Sequence, residues 1–592
     1  MKTRWGWLVL ILALTVGVLI ADVLPAAAQA DAKQNISGEW RGMIGKQHLV
    51  LNFSDASAGG LSGKLTVPDQ GNVTVPIDSV MFAKPTLHLE ITAIGATYDA
   101  TLTDAGDTLN GTWQQGGATL PLVMRRPGAT AAAMTLKPRT IGQVALTPCT
   151  TLDGNTEGLC GSVEVWENRV LKSGRKLALK VMVLPSTAEH PAADAFVPLA
   201  GGPGQSAIEA YPLTGYTNAI RKTRDVVLLD QRGTGGSAPL LCDLRDPENV
   251  QQTIGEEIPA ERLHACREKL EKIADLTQYT TSIFADDLDE VRAALGYQKI
   301  DVFGGSYGTR AALVYLHRHG DHVRTMGLEG VVPPEYRIPM SFSHALQGSI
   351  DQVIARCAAD ERCNKAYPKL HEEFLAILDR LDKSPAQVEL TTAKGKQAVV
   401  ISHGVFVADL RPVLYVPQAI NQLPYILHKA YEGDWSVYAS VAAQMRGAID
   451  KSINRDLALS VSCSEDIPGM TEAMIRSDTD GTYLGDFQVR QYQRACGEWA
   501  HGNVPADFHA PIRSDVPALL ISGALDPATP PDVSKDEARN LSHSQVVLLP
   551  NGTHGSGSAC VDGIISAFVD TAVKVDASCV DSMKLGDFFV RP

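Results

Sequence analysis

The stretch Phe303-Gly304-Gly305-Ser306-Tyr307-Gly308-Thr309 decides the fold prediction. It contains the pattern Gly-x-Ser-x-Gly, ends an apolar run and precedes the helix-compatible residues 310–314. A serine held on a tight turn between a strand and a helix needs glycines around it, because side chains there would clash. The pattern therefore predicts a nucleophile elbow with Ser306 at its tip. The alternative is an ordinary Gly/Ser turn without a catalytic role.

A base and an acid for this serine are found near the end of the chain. Asp526 follows the apolar run 519–521, and His554 follows the run 546–549. Serine, acid and histidine occur in this chain order in one class of catalytic triad, and both loops would reach the same sheet edge as the elbow. We predict that His554 takes the proton of Ser306 and that Asp526 orients His554. Asp532 is the second candidate acid, and a loop histidine beside a turn aspartate is the non-catalytic alternative.

A glycine-rich loop supplies the candidate oxyanion hole. Ala200-Gly201-Gly202-Pro203-Gly204 directly follows an apolar run that ends at Leu199. An oxyanion hole needs one backbone N–H from such a loop and one from the residue after the nucleophile. We assign these to Gly202 and Tyr307. A Gly-Pro turn with no catalytic role is the alternative, and a phosphate loop is disfavoured because no Lys-Ser/Thr follows the glycines.

The hydrophobic pattern from residue 141 onward predicts an α/β fold. Strand-like runs alternate with helical ones, which is typical of a largely parallel sheet. Residues 141–332 are the first part of this core, 333–513 look mainly helical and are predicted to be an inserted cap, and 514–592 are the second part. The predicted strands are 161–166, 177–184, 196–199, 226–229, 300–303, 325–328, 518–522 and 546–549.

The front of the chain has a different character. Residues 1–30 are predicted to be a signal peptide, since a basic start and an apolar run of about fifteen residues lead to Ala28-Gln29-Ala30. An uncleaved anchor is the alternative. Residues 31–126 alternate in short runs between turn residues and predict a small antiparallel barrel or sandwich. Residues 127–140 read as a linker. We expect an exported protein, periplasmic or secreted, with no stable membrane span after cleavage.

Export predicts that the cysteines pair in an oxidising compartment. The shortest loops join sequential cysteines, although sequence leaves the connectivity open. The ten cysteines are Cys149 with Cys160, Cys242 with Cys266, Cys357 with Cys363, Cys463 with Cys496, and Cys560 with Cys579. No cysteine spacing fits a zinc site, and His317, His319 and His322 are read as a solvated helix end, so no metal is predicted.

The charge balance weighs against one class of partner. Fifty-three Lys and Arg against 67 Asp and Glu give a net charge of −14. Binding to nucleic acid relies on a basic surface that neutralises phosphates. We therefore predict no nucleic-acid partner.

Taken together, the motifs resemble the proline iminopeptidase and tripeptidyl aminopeptidase family of α/β-hydrolase serine peptidases. The resemblance covers about residues 145–592 and includes the C-terminal region around Asp526 and His554. Ala200 departs from the family, because proline iminopeptidases have histidine there, and this weakens the transfer of proline specificity. The motifs that carry it are Gly201-Gly202-Pro203-Gly204, Asp230-Gln231-Arg232-Gly233-Thr234-Gly235-Gly236-Ser237, Tyr279-Thr280-Thr281, Ala285-Asp286-Asp287-Leu288 and Gly304-Gly305-Ser306-Tyr307-Gly308.

The resemblance implies an aminopeptidase that needs no cofactor and acts on peptides with a free N-terminus. Carboxylates of the cap then hold the substrate ammonium, and Glu465 and Asp466 are the candidates, with a solvated acidic turn as the alternative. Asp230 and Arg232 are predicted to form a buried loop pair.

Two rival functions stay open. One is an esterase or lipase-like hydrolase that uses the same triad, because a fold does not fix the substrate. The other is a non-catalytic surface-binding protein whose β-domain is the working part.

Overall fold

The fold is described here from a computed structural model. It describes residues 36–44, 47–55, 61–67, 73–103, 106–115, 118–127, 136–151, 156–211, 215–242, 244–246, 249–256, 258–392, 395–555 and 557–591. The predicted signal peptide and most of the predicted linker lie outside these ranges. The chain divides into two compact units, Met1–Ala133 and Met134–Pro592. Among the described residues, no helix is long and apolar enough to cross a membrane.

The first unit is a single antiparallel sheet of nine strands in the order β4-β3-β2-β1-β9-β8-β7-β6-β5. One residue, Asp78, separates β4 from β5, although these strands lie at opposite ends of the order. The sheet must therefore curl until its two edges meet, which favours the barrel over the sandwich. Trp40, Leu51 and Tyr98 are buried in its core. The strands are β1 Gly38–Ile44, β2 Gln47–Asp55, β3 Leu61–Val67, β4 Val73–Ile77, β5 Ser79–Ala83, β6 Thr86–Ile91, β7 Ala96–Leu102, β8 Thr108–Gln115 and β9 Ala118–Arg125.

The second unit is built on a ten-stranded sheet in the order β10-β11-β12-β13-β15-β14-β16-β17-β20-β21. The six strands from β15 to β21 in this order run parallel, and β10 to β13 form an antiparallel extension. Each predicted strand of the core is present. The strands are β10 Arg139–Ile141, β11 Val144–Thr150, β12 Glu157–Trp166, β13 Lys176–Leu184, β14 Ala195–Leu199, β15 Val226–Leu229, β16 Ile300–Gly305, β17 Val323–Glu329, β18 Ala386–Thr392, β19 Gly395–Ile401, β20 Ala518–Gly523 and β21 Ser544–Leu549.

Helices cover both faces of the parallel part, which explains why its strands read as continuous apolar runs. The residues of α5 and α6 pack on one face, and those of α2 and α18 pack on the other. The helices are α1 Ala207–Ala210, α2 Gly215–Ile220, α3 Val250–Thr253, α4 Ala260–Glu271, α5 Thr281–Leu295, α6 Tyr307–His319, α7 Phe342–Ala359, α8 Glu361–Ala366, α9 Leu370–Lys383, α10 His403–Leu414, α11 Pro417–Ile420, α12 Leu423–Glu432, α13 Ser436–Ser452, α14 Arg455–Glu465, α15 Glu472–Thr479, α16 Phe487–Cys496, α17 Pro531–Glu537 and α18 Ala559–Thr571.

The cap, residues 333–513, is mainly helical and contains α7 to α16. It has its own apolar core, in which Phe374, Phe406 and Tyr438 are buried. It also contains a hairpin, β18 with β19, that the sequence analysis did not predict. The hairpin was missed because 386–401 lies between two longer helical patterns.

Ten cysteines lie in the described residues, and the structure joins them in the five sequential pairs that were predicted. Two of these bridges tie helices of the cap: Cys357–Cys363 joins α7 to α8, and Cys463–Cys496 joins α14 to α16. The Cys560–Cys579 bridge ties α18 to the chain that follows it. Each closes a short loop and restricts the unfolded chain.

Candidate active site

Ser306 lies at the turn between β16 and α6, as the Gly-x-Ser-x-Gly pattern predicts. Its backbone has φ 54° and ψ −124°, a conformation that costs free energy for a residue with a side chain. The turn is held on both sides: the Ser306 N–H donates to the carbonyl oxygen of Glu329 at 2.8 Å, and the Thr309 hydroxyl donates to the Ser306 carbonyl oxygen at 2.6 Å. The strain is therefore supported by the neighbouring strand and by the first turn of the helix.

Gly304 and Gly308, each two residues from Ser306, are required because neither position has room for a side chain. A Cβ atom on Gly304 would lie 2.3 Å from the carbonyl oxygen of Gly308, and one on Gly308 would lie 2.1 Å from that of Leu199. Both contacts are with backbone, which cannot give way without moving the sheet. Glycine here lets β14, β16 and α6 approach closely enough to form the elbow.

His554 and Asp526 meet at the carboxyl edge of the sheet. The Nδ1 atom of His554 lies 2.8 Å from the Oδ2 atom of Asp526. Asp526 is buried and also accepts hydrogen bonds from the Ala528 and Thr529 amides, each at 2.8 Å, and from the Thr529 hydroxyl at 2.7 Å. The carboxylate is thus fixed by its own loop, and it can hold His554 with Nδ1 protonated and Nε2 free to act as the base.

The glycine-rich loop lies against the elbow. A Cβ atom on Gly201 would be 3.3 Å from the Cβ of Ser306, and Gly202 has φ +109°, which favours glycine. The Tyr307 side chain points away from this loop, since its hydroxyl bonds with Thr281 Oγ1 at 2.7 Å and with Gln231 Nε2 at 3.2 Å. The loop and the start of α6 are therefore adjacent to Ser306, where Gly202 and Tyr307 were predicted to supply the oxyanion amides.

The comparison with known families agrees with this geometry. The family described as "alpha/beta hydrolase fold" matches residues 195–557, more than half of the 592 residues. The chain belongs to the alpha/beta hydrolase fold family. The match begins at β14 and ends just after His554, so that it spans the elbow, the cap and both candidate triad loops of this hydrolase. The predicted fold class is confirmed.

Three curated relatives are similar to this hydrolase. The "Serine protease Hip1" of Mycobacterium tuberculosis (strain ATCC 25618 / H37Rv) is 25% identical over 480 residues, which are 74% of this chain and 90% of the relative. The "Tripeptidyl aminopeptidase" of Streptomyces lividans is 32% identical over 196 residues, 30% of this chain and 35% of the relative. The "Carboxylesterase B" of Mycobacterium tuberculosis (strain CDC 1551 / Oshkosh) is 26% identical over 450 residues, 69% of this chain and 83% of the relative.

The cap of the hydrolase contacts both candidate triad loops, a feature that the sequence analysis missed. Two residues of helix α7 donate hydrogen bonds to the Asp526 loop. The Ser349 hydroxyl donates to the Leu525 carbonyl oxygen at 2.8 Å, and the Gln352 side-chain amide donates to the Ala524 carbonyl oxygen at 2.9 Å. Arg356, one turn further, donates to Asn551 Oδ1 at 2.6 Å. The cap thus helps to position the loops that carry Asp526 and His554.

Tyr415, just after α10, covers the imidazole of His554. The two ring centroids are 4.6 Å apart and the rings are tilted by 25°. The Thr553 hydroxyl donates to the Tyr415 carbonyl oxygen at 2.9 Å, which fixes the backbone beside the stacked rings. The tyrosine is therefore placed to hold the imidazole in its plane and to stabilise the imidazolium through its π-face.

We expect Tyr415→Leu to lower kcat about fivefold, because a stacked aromatic pair contributes about 1 kcal/mol beyond its area. Tyr415→Phe keeps the ring and is expected to stay within about twofold of the original, since the stacking does not use the hydroxyl. Steady-state kinetics of both variants test this. Equal losses in the two variants would contradict the stacking role.

The electrostatics of the hydrolase site favour a charged histidine. Burial lowers the pKa of His554, but the charge and hydrogen bond of Asp526 and the charge of Glu329 outweigh it, and the net pKa lies above the ordinary value of 6.5. Glu329, at the end of β17, is half-buried, and burial raises its own pKa to about 7. Sequence analysis gave Glu329 no role. Its only signal was a carboxylate at the end of a core strand.

We expect the acid limb of kcat/KM to lie above pH 6.5. With the neutral form of His554 as the predicted base, activity should be lost as pH falls through its raised pKa. Glu329→Gln removes a negative charge that favours the imidazolium and should move this limb to lower pH. A pH–rate profile measures the shift. Glu335→Gln, on an exposed loop, is the control expected to leave the limb unchanged, and a shift to higher pH in Glu329→Gln would contradict the argument.

Glu465 and Asp466 both form hydrogen bonds or ion pairs with other residues of the chain. Both side chains are buried, at 0% and 1% exposure. Glu465 accepts from the Thr281 amide at 2.5 Å and from its hydroxyl at 2.8 Å, and Asp466 pairs with Arg310 at 2.9 Å and accepts from the Ile338 amide at 3.0 Å. These contacts join α14 to α5 and α6. They do not support the predicted role in binding a substrate ammonium, and the solvated acidic turn is wrong because the segment is helical and buried.

Two smaller expectations are also corrected. Asp230 and Arg232 are buried but do not pair with each other. Asp230 accepts from the Ser206 hydroxyl at 2.6 Å, whereas Arg232 pairs with Asp287 at 2.6 Å. The pair was expected because the two are close in sequence, but the turn points their side chains to different elements. Asp532, the second candidate acid, has a side chain that is 87% exposed and pairs with Lys535 at 2.9 Å.

Proposed function

We propose that the hydrolase is an exported serine aminopeptidase that releases residues or short peptides from free N-termini. The observation that carries the catalytic part is the 2.8 Å contact between His554 Nδ1 and Asp526 Oδ2 at the sheet edge that also holds Ser306. The peptidase part is supported by the relatives, two of which are named as a serine protease and a tripeptidyl aminopeptidase.

The proposed reaction uses the triad in two half-reactions. The Ser306 hydroxyl attacks the peptide carbonyl carbon while His554 Nε2 takes its proton, and Asp526 stabilises the imidazolium. The amides of Gly202 and Tyr307 bind the oxyanion. The C–N bond then breaks, the leaving amine takes the proton from His554, and the acyl group stays on Ser306. A water molecule, deprotonated by His554, releases the acyl group and restores the serine.

Selection for a free N-terminus is the finer part of the proposal. The cap is fixed above the catalytic loops by Ser349, Gln352 and Arg356, and a cap in this place restricts what enters and excludes bulk water. Glu465 and Asp466 already have protein partners, Thr281 and Arg310. Glu465→Gln tests their predicted role: a rise in KM for free-amine substrates alone would restore it.

A substrate panel tests the function. It contains free-amine aminoacyl- and tripeptidyl-anilides, their N-acetylated forms and short-chain esters, with Ser306→Ala as the background control. We expect turnover of the free-amine anilides that falls at least tenfold on acetylation. Equal turnover of free and acetylated anilides would reject aminopeptidase specificity and leave a serine peptidase.

The esterase is the second candidate function, and the relative named carboxylesterase B favours it. The leaving group of an ester needs less protonation than that of an amide, so the same triad would also hydrolyse esters. Turnover of the esters without cleavage of any anilide would identify it. Inactivity of the whole panel would instead favour the non-catalytic surface-binding protein. Binding of the isolated 31–130 fragment to cell envelopes would support that function.

Export is the remaining part of the proposal. Five disulfides among the described residues support an oxidising compartment, since such bonds are rare in the cytosol. Fractionation of the producing cells, followed by sequencing of the N-terminus, tests it. A cytosolic chain that starts at Met1 would overturn export.

A further inference from the structure

A cluster of imidazole and carboxylate groups lies where the end of α6 meets α5. The Nδ1 atom of His322 is 2.6 Å from Oδ1 of Asp289, and the Nδ1 atom of His319 is 3.7 Å from Oδ2 of the same carboxylate. One ligand atom from each of these three residues lies within 4.8 Å of those of the other two. We call Asp289, His319 and His322 the α5–α6 cluster.

The sequence analysis weighed these histidines without Asp289, because the aspartate is on another helix and only the fold brings it to them. The described residues contain one other group of three with ligand atoms this close, and it includes Cys242 and Cys266, whose sulfurs are joined in a disulfide. The α5–α6 cluster is therefore the group in the described part of the chain in which no donor atom is held in a covalent bond to another.

A second carboxylate fixes the ring of His319. Its Nε2 atom is 2.9 Å from Oδ1 of Asp286, which is the arrangement in which Nε2 carries the proton. The Nδ1 atom of His319 then faces the Asp289 carboxylate, so that a cation between them would contact both groups. Histidine ligands of metals commonly donate their other N–H to a carboxylate in this way.

The remaining partners of Asp289 orient it without covering its second oxygen. Arg292 Nε lies 2.8 Å and the Tyr315 hydroxyl 3.1 Å from Oδ1, whereas Oδ2 faces His319. The side chains of Asp289, His319 and His322 are 19%, 22% and 37% exposed, so solvent reaches the cluster. An ion can therefore enter from solution and keep water as a further ligand.

We propose that the α5–α6 cluster is a Zn²⁺-binding site with Asp289, His319 and His322 as ligands and Asp286 as the carboxylate that orients His319. Two imidazole nitrogens and a carboxylate oxygen are a donor set that zinc accepts, with water completing a tetrahedron. Zinc binds imidazole and carboxylate in their deprotonated forms, so its affinity is expected to fall at low pH.

The site has a structural effect and no catalytic one. Helix α6 has 13 residues between the elbow and the cluster, so the two are about 20 Å apart at ~1.5 Å per residue. A shared ion links the end of α6 to α5 and stabilises the native chain over the unfolded chain. This inference is independent of the proposed function, because it uses none of the triad residues.

Equilibrium dialysis of the tag-free, chelator-treated chain against ZnSO₄, with thermal melts in parallel, tests the proposal. We expect about one bound zinc per chain and a Tm that rises with zinc. In His319→Ala/His322→Ala the affinity should fall at least tenfold and the zinc-dependent rise in Tm should disappear. Asp286→Asn should lower the affinity about tenfold, as loss of an orienting carboxylate does.

His317→Ala is the matched control. This histidine is on the same helix end but pairs with Asp507 at 3.2 Å, so its loss should leave zinc binding unchanged. Zinc binding that persists undiminished in the double variant, or that is lost equally in His317→Ala, would overturn the site. The absence of any bound zinc in the unsubstituted chain would overturn it as well. The melting temperatures without zinc show that each variant is folded.

Discussion

Ser306→Ala is expected to lower kcat by about 10⁶-fold on the best substrate of the panel, the loss that follows when a triad serine is removed. The physical reason is that the acyl group has no other nucleophile to join, so the remaining rate comes only from binding and the oxyanion amides. The measurement is kcat under saturating substrate, with the purified alanine variant assayed at high concentration.

Stability separates loss of chemistry from loss of fold in this variant. The backbone at 306 stays at φ 54° in alanine as in serine, so Ser306→Ala should keep the Tm of the original chain. Ser306→Gly should be equally inactive but more stable, because glycine adopts positive φ without strain. A variant that retains activity within about tenfold would show that the nucleophile is another residue.

Asp526→Asn is expected to lower kcat by about 10⁴-fold, because an amide in place of the carboxylate favours the wrong tautomer of His554. The 2.8 Å contact between Asp526 Oδ2 and His554 Nδ1 is the interaction that the variant alters. Substrate binding away from the histidine is untouched, so kcat should fall while KM stays within a few-fold.

Asp532→Asn is the matched control for this prediction. Asp532 lies six positions further along the chain, but its side chain is 87% exposed and pairs with Lys535, so activity should be unchanged. A fall in activity in Asp532→Asn together with a mild effect in Asp526→Asn would reverse the assignment. A mild effect in both variants would indicate that Glu329 also serves as the acid beside His554. The double variant Asp526→Asn/Glu329→Gln should then lose far more activity than either single variant.

The existence and approximate position of the core strands could be predicted because each strand is a local property of the chain. A strand buried on both faces reads as an apolar run, and β15, Val226–Leu229, has the predicted bounds. The elbow is equally local: its glycines, its serine and its helix lie within a few residues. The hairpin of the cap was missed because its strands are half-exposed and lie among longer helical patterns.

The sequence predicts only those residues of the candidate site whose place follows from the order of strands and loops along the chain. Asp526 and His554 each follow a core strand, so the sequence places both at one sheet edge. Asp526 has a further local signal in Thr529, since an aspartate that binds amides two and three residues later is typical of a turn. Tyr415 has no such signal, because it reaches His554 from a cap whose position depends on long-range packing.

By itself, the sequence determined the parallel core, the elbow with Ser306 and the loops of Asp526 and His554, because each follows from neighbours along the chain. Only the tertiary structure decided what surrounds them: the Tyr415 ring on His554, the burial of Glu465 and Asp466 against Arg310, and the meeting of Asp289 with two histidines. The physical reason is that contacts between distant segments depend on how helices and strands pack, and no local pattern of residues records that packing.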